Sequence, residues 1–170
     1  MKRNFIIVFA LAGLLILGAW AHSAGKPFRA EQSVMTTMPP LSLLLPDSTT
    51  MIDTRYIAPG KPVVLIYFSP DCEHCHYQTQ EIIDHIQRLR DVHLVMLTPM
   101  PLHDLKAFND TFKLSQYKNI TLTYDYGYNF YKYFKSESFP CVAVYNKDNQ
   151  LIRLYRREIG IEELIKAISI

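Results

Sequence analysis

Only three cysteines occur in the 170 residues, Cys72, Cys75 and Cys141, and that scarcity excludes a fold stapled by several disulfides. An odd number cannot pair completely. Two of the three stand three residues apart, and a bridge across so short a loop stabilises a chain little. No second Cys-x-x-Cys accompanies the first, so a four-cysteine zinc site lacks half its ligands. An excess of charge of one sign is also missing. The formal net charge of +2 is carried by Lys2 and Arg3, and no other charged residue precedes Ala24. Beyond it, lysine and arginine are dispersed and balanced by Asp and Glu, so nothing calls for nucleic acid or an anionic membrane surface.

Charge is absent altogether from residues 5–21, a run of 17 behind the basic head Met1-Lys2-Arg3-Asn4. Ala21 and Ser23 fit the small-x-small pattern of a cleavage site, while the run is just short of a usual spanning helix. Residues 1–24 therefore read as a signal peptide or an uncleaved membrane anchor. Either one puts the folded part outside the cytoplasm, in the periplasm or cell envelope. Residues 25–37 are mostly polar, without periodicity, and read as a linker. The remainder, 38–170, belongs to a chain that is 49% hydrophobic and 20% charged, enough for one domain with a sizeable core.

What is present is Cys72-Glu73-His74-Cys75, directly after the apolar run 63–68 and before a helical stretch at 76–89. Two cysteines three apart in the first turn of a helix share a face and lie within bonding reach, so they can cycle between dithiol and disulfide. The first sulfur meets unpaired backbone N–H groups and the positive end of the helix dipole, which favour thiolate and create a nucleophile.

The surrounding pattern alternates strands and helices. Residues 41–45 and 51–56 flank the turn Pro46-Asp47-Ser48-Thr49-Thr50 as a short amino-terminal hairpin. Residues 63–68 form a strand buried on both faces. An amphipathic helix follows, with Ile82, Ile83, Ile86 and Leu89 inward and Gln78, Gln80, Asp84, Gln87 and Arg88 on other faces. Residues 92–97 are the next strand, 102–112 a helix opened by Pro101, and 128–134 a short helix. Residues 141–145 and 151–155 flank Asn146-Lys147-Asp148-Asn149-Gln150 as a hairpin, and 161–168 close the chain as a helix. This order predicts a central mixed sheet with helices on both faces, of the α/β class.

That order, with Cys-x-x-Cys after the first core strand and Ser138-Phe139-Pro140 before the late hairpin, resembles the thioredoxin fold. It is most similar to exported thioredoxin-like proteins of the TlpA/ResA type, whose amino-terminal extension matches 38–62. The resemblance covers roughly 38–168. It implies a thiol-disulfide oxidoreductase that needs no bound cofactor, acts on disulfide-containing protein substrates as a reductase, and is resupplied by a membrane thiol electron donor. It further implies that Pro140 is cis, and that Phe139 and Pro140 lie against Cys72 and bind extended substrate. The chain also departs from thioredoxin. Ile66 stands where thioredoxin has a buried aspartate that serves the second cysteine, so that service either comes from elsewhere, with Glu137 the candidate, or is absent. Glu73-His74 replaces Gly-Pro, so His74 would stabilise a Cys72 thiolate while Asp71 and Glu73 oppose it.

Rival uses of the same residues stay open. Cys72-Glu73-His74-Cys75-His76 also spells the c-type haem attachment signature, and Cys72, Cys75 and a histidine can ligate copper or zinc, so a haem- or metal-binding electron-transfer protein is the alternative. A peroxiredoxin is disfavoured because Leu65 stands where its pattern needs proline. Cys141 reads as a buried strand cysteine or a third redox thiol. Tyr124, Tyr126, Tyr128, Tyr131 and Tyr133 read as packing around a helix or as a peptide groove, and Asp125 as a turn or cap residue. Asn109-Asp110-Thr111 and Asn119-Ile120-Thr121 spell glycosylation acceptors that matter only in a eukaryotic secretory host.

Overall fold

The structure is a computed structural model that describes residues 36–169. The expected signal peptide or anchor at 1–24, and the linker up to residue 35, lie outside the described residues. All of the described residues belong to one compact unit, Gln32–Ile170. No helix among them is long and apolar enough to cross a membrane.

The amino-terminal hairpin is present, with β1 at Ser42–Leu44 and β2 at Met51–Asp53 paired antiparallel. Asp47 fastens its turn by accepting from the Thr49 and Thr50 N–H groups at 2.9 and 2.8 Å. The Thr50 hydroxyl leads these donors in holding the Asp47 carboxyl down at about 2. β3, Val63–Tyr67, is buried at every residue and carries the chain into α1, Glu73–Asp84. Next come β4, His93–Thr98, and α2, Leu102–Phe112. β5 is Ile120–Tyr124 and α3 is Asn129–Phe134. The chain ends with β6, Cys141–Tyr145, β7, Leu151–Tyr155, and α4, Ile161–Ile168.

The seven strands form one mixed sheet in the order β2-β1-β5-β4-β3-β6-β7. β3, β4 and β5 are parallel, and β6 lies antiparallel on the other side of β3. Both parallel crossovers step across the sheet in the same direction. Right-handed connections must then lay α1 and α2 on the same face, and the packing agrees. Val64, Ile66 and Phe68 face a core built with Cys75 and Ile82 of α1, Leu105 and Phe108 of α2, and Leu164 of α4. Alternate residues Val63, Leu65 and Tyr67 face the other way, onto Phe130 and Phe134 of α3 and onto Met38, Leu41 and Leu43. Helices cover both faces as expected, because strand side chains alternate.

Several local expectations need correction. β5 was not foreseen between α2 and α3. Its Ile120 and Leu122 feed the main core, while Thr123, fully buried, donates to the Met96 carbonyl at 3.2 Å. The helix begins at Glu73 with Cys72 as its N-cap, as the placing of the two cysteines in its first turn requires, but it ends at Asp84 rather than 89 and is followed by a separate 3-10 turn at Ile86–Leu89. Gln78, assigned to a polar face, is 2% exposed. The folded body also takes in Thr36 and Thr37, which pair with Leu151 and Gln150 at the start of β7.

Candidate active site

The site is built at the carboxyl end of β3, where Phe68 N–H still bonds to the Leu97 carbonyl and the chain then turns through Ser69 and Pro70 into α1. Cys72 N–H donates to the Ser69 carbonyl at 3.1 Å, and the Cys72 carbonyl accepts from Cys75 and His76 N–H at 2.9 and 3.1 Å. Cys72 is thus the first residue of the helix cap and has no side-chain cap bond of its own. Its sulfur is half-buried and Cys75 is buried. Burial, then the neighbouring Cys72 thiol, pushes the Cys75 thiol far up; the Ser69 backbone opposes the rise and the Glu158 carboxylate adds to it.

Phe139 and Pro140 close the site from the other side of β3. The Phe139–Pro140 peptide is cis. Cys72 Sγ donates to the Phe139 carbonyl at 3.5 Å. The Phe139 ring lies 4.9 Å from Tyr67, which in turn stacks on Phe130 at 4.6 Å. The β3–β6 register, with Tyr67 opposite Cys141, brings these residues, far apart in sequence, beside Cys72.

His74 and Glu73 are both exposed. His74 does not turn to Cys72. Its Nδ1 meets Glu158 Oε2 at 2.9 Å, so the imidazole expected to support a thiolate is engaged by a carboxylate. Glu137 is exposed, and Glu158, not Glu137, is the carboxylate that acts on Cys75. Glu158 was missed, as was the reason it sits there. The buried Gln78 side chain accepts from Ile159 N–H at 2.7 Å and ties the β7–α4 loop onto α1. A glutamine on a helix and a glutamate 80 residues later give no local signal of meeting.

The other candidates are placed as follows. His76 Nε2 meets the Pro70 carbonyl at 2.5 Å, and its ring packs edge-on against Phe108 and Phe112 of α2. Among the described residues, no three His, Cys, Asp or Glu side chains converge as a metal site. Cys141 is fully buried on the face opposite Cys75, with Val63, Leu65 and Tyr67, and burial pushes its thiol up. Asp125 is a cap: fully buried, it accepts from Asn129 N–H at 2.8 Å and Phe130 N–H at 2.9 Å. Of the tyrosine run, Tyr133 packs edge-on against Phe134, whereas Tyr126, Tyr128 and Tyr131 are exposed.

No family model matches the chain, and no curated protein matches it either. Solved structures do. One is a secreted disulfide oxidoreductase of Mycobacterium tuberculosis homologous to Escherichia coli DsbE, 16% identical, with a TM-score of 0.63 over 76% of this chain and 95% of that one. A thioredoxin-like protein from Porphyromonas gingivalis, 18% identical, has a TM-score of 0.63 over 78% and 89%. The fold is thioredoxin-like. A peroxiredoxin-like protein from Aquifex aeolicus matches equally well, with a TM-score of 0.63 at 14% identity over 79% and 84%. Thioredoxin-like architecture is therefore what these neighbours share, and the chemistry must be argued from the side chains.

Proposed function

We propose that the chain is an exported thiol-disulfide oxidoreductase of the TlpA/ResA type, which reduces disulfides of protein substrates. One observation carries the reading: a half-buried Cys72 at the start of α1, one helical turn from a buried Cys75, with its thiol on the Phe139 carbonyl. In the forward reaction the Cys72 thiolate attacks one sulfur of a substrate disulfide. A Cys72–substrate bond forms, and the other substrate sulfur leaves as a thiolate that takes up a proton. Cys75 then gives up its proton and attacks Cys72 Sγ, releasing the second substrate thiol and leaving a Cys72–Cys75 disulfide. Two electrons pass from the enzyme to the substrate, and a thiol donor at the membrane returns them.

The elevated Cys75 thiol suits this order. A second nucleophile that stays protonated leaves the first sulfur to make the encounter. The exposed Glu73 and the His74–Glu158 pair at the rim modulate the charge that a substrate meets.

The test is the reduction potential of the Cys72/Cys75 couple, by equilibration in glutathione or dithiothreitol buffers and thiol trapping. A reversible two-electron couple near about −270 mV supports a reductase, one near about −120 mV makes the enzyme an oxidase, and no couple at all ends the reading. Incubated with a disulfide-containing protein, Cys75→Ser is expected to accumulate a mixed disulfide with it, and Cys72→Ser to form none.

A further inference from the structure

A cavity of about 840 Å³ opens at the opposite end of the sheet from Cys72. Its walls come from β2, the 56–61 loop, and the amino ends of β3, β4 and β5, which the registers Val63 with His93 and Leu94 with Ile120 bring level. The thiol chemistry uses none of these residues. Ile52 and Ile57 give it an apolar floor, laid over the buried Val63 and Val92. At one side the half-buried His93 meets Thr121 Oγ1 through Nε2 at 3.0 Å, and burial followed by the Lys61 ammonium holds its pKa down.

The rim charge is one-sided. Lys61, Arg90 and Lys118 line the cavity, and Asp53 is its one acidic lining residue. Asp53 is already held by Arg55, whose Nη2 lies 2.6 Å from its Oδ2. Asp91 stands behind the rim, 3.6 Å from Lys61 and 3.3 Å from Arg90. Counting these neighbours, four cations face two carboxylates, and Lys118 is exposed at the mouth. A concave apolar surface of drug-ligand size with a few polar groups at one side is the usual form of a small-molecule site.

We infer that this cavity binds an amphiphilic carboxylate, its apolar body on the Ile52 and Ile57 floor and its anionic head among Lys61, Arg90 and Lys118. The apolar body supplies the area removed from water, and the rim selects the sign of the head. A cationic amphiphile of the same length is refused by the same rim.

Dodecanoate, below the concentration at which it forms micelles, is the probe, and dodecyltrimethylammonium is the control. Titration calorimetry on the full chain, with backbone amide NMR, is expected to give saturable one-to-one binding of dodecanoate, with shifts centred on Ile57, Val63 and Thr121. The cationic control should not bind. Lys118→Glu should weaken dodecanoate binding by about fivefold or more, since it replaces an attraction with a repulsion. Ala58→Trp fills the mouth from an exposed lining position and should abolish binding, while disulfide exchange at Cys72 stays unchanged in both variants. Equal binding of the cationic control, undiminished binding by both variants, or no saturable binding of dodecanoate overturns the inference.

Discussion

Glu158 illustrates how the charge on one side chain reaches a sulfur it does not touch. Held by His74 and carried by a loop fixed to Gln78, its carboxylate disfavours a second negative charge on Cys75. Glu158→Gln removes that repulsion, so Cys75 is expected to ionise at lower pH than in the parent, as read by carbon-13 NMR of a labelled Cys75 Cβ across a pH titration. An unchanged titration would show that Glu158 plays no part in the rise. The two cysteines were readable at this scale because the motif is contiguous and its chemistry follows from helix geometry. Glu158 and Gln78 were not, since their meeting depends on how β7 returns to α1. The assignment of Gln78 to a polar face failed for a related reason: a glutamine with a buried backbone N–H to receive can lie inside, where helical periodicity counts it as outside.

Among the elements, α3 depends most on a single residue. It has six residues, too few to stand by its own hydrogen bonds, and Asp125 supplies acceptors for two of its first N–H groups from a fully buried position. Asp125→Ala would leave both donors without that partner, the Phe130 N–H in a buried position. It should cost about 2 kcal/mol, measured by urea unfolding, with Asp125→Asn retaining part of the loss. Most elements were readable from the pattern: β3 from its unbroken apolar run, α2 from Pro101 and the spacing behind it, the β6–β7 hairpin from Asn146 and Asn149. β5 was not. Ile120-Thr121-Leu122-Thr123-Tyr124 alternates as a strand should, yet its threonines read as polar and its flanks read as turn and tyrosine-rich helix. Threonine is β-branched and can satisfy its hydroxyl on a neighbouring strand, as Thr123 does on Met96.

For the molecule as a whole, the groups packed in the two cores make alkaline pH the direction of weakness. Burial holds the thiols of Cys75 and Cys141 protonated above the ordinary 9.0 and the hydroxyls of Tyr67 and Tyr145 above the ordinary 10.0. The folded chain therefore keeps protons that the unfolded chain releases. Stability is fully present below pH 9.0 and falls as pH rises through the folded values, by up to about 1.4 kcal/mol per pH unit for each thiol, more steeply once the tyrosines join. Denaturant unfolding of the reduced protein at rising pH should show this loss. The Cys72–Cys75 disulfide form should lose less, because Cys75 then has no proton to keep. The sheet also sets which way the molecule faces. Thr36 enters beside the β6–β7 turn, level with Val63, whereas Cys72 leaves beyond Tyr67 at the far tip of the same strand. Five residues of β3, about 16 Å, separate the two ends. The described chain thus enters the fold at the heel of β3, and the reactive sulfur is its toe.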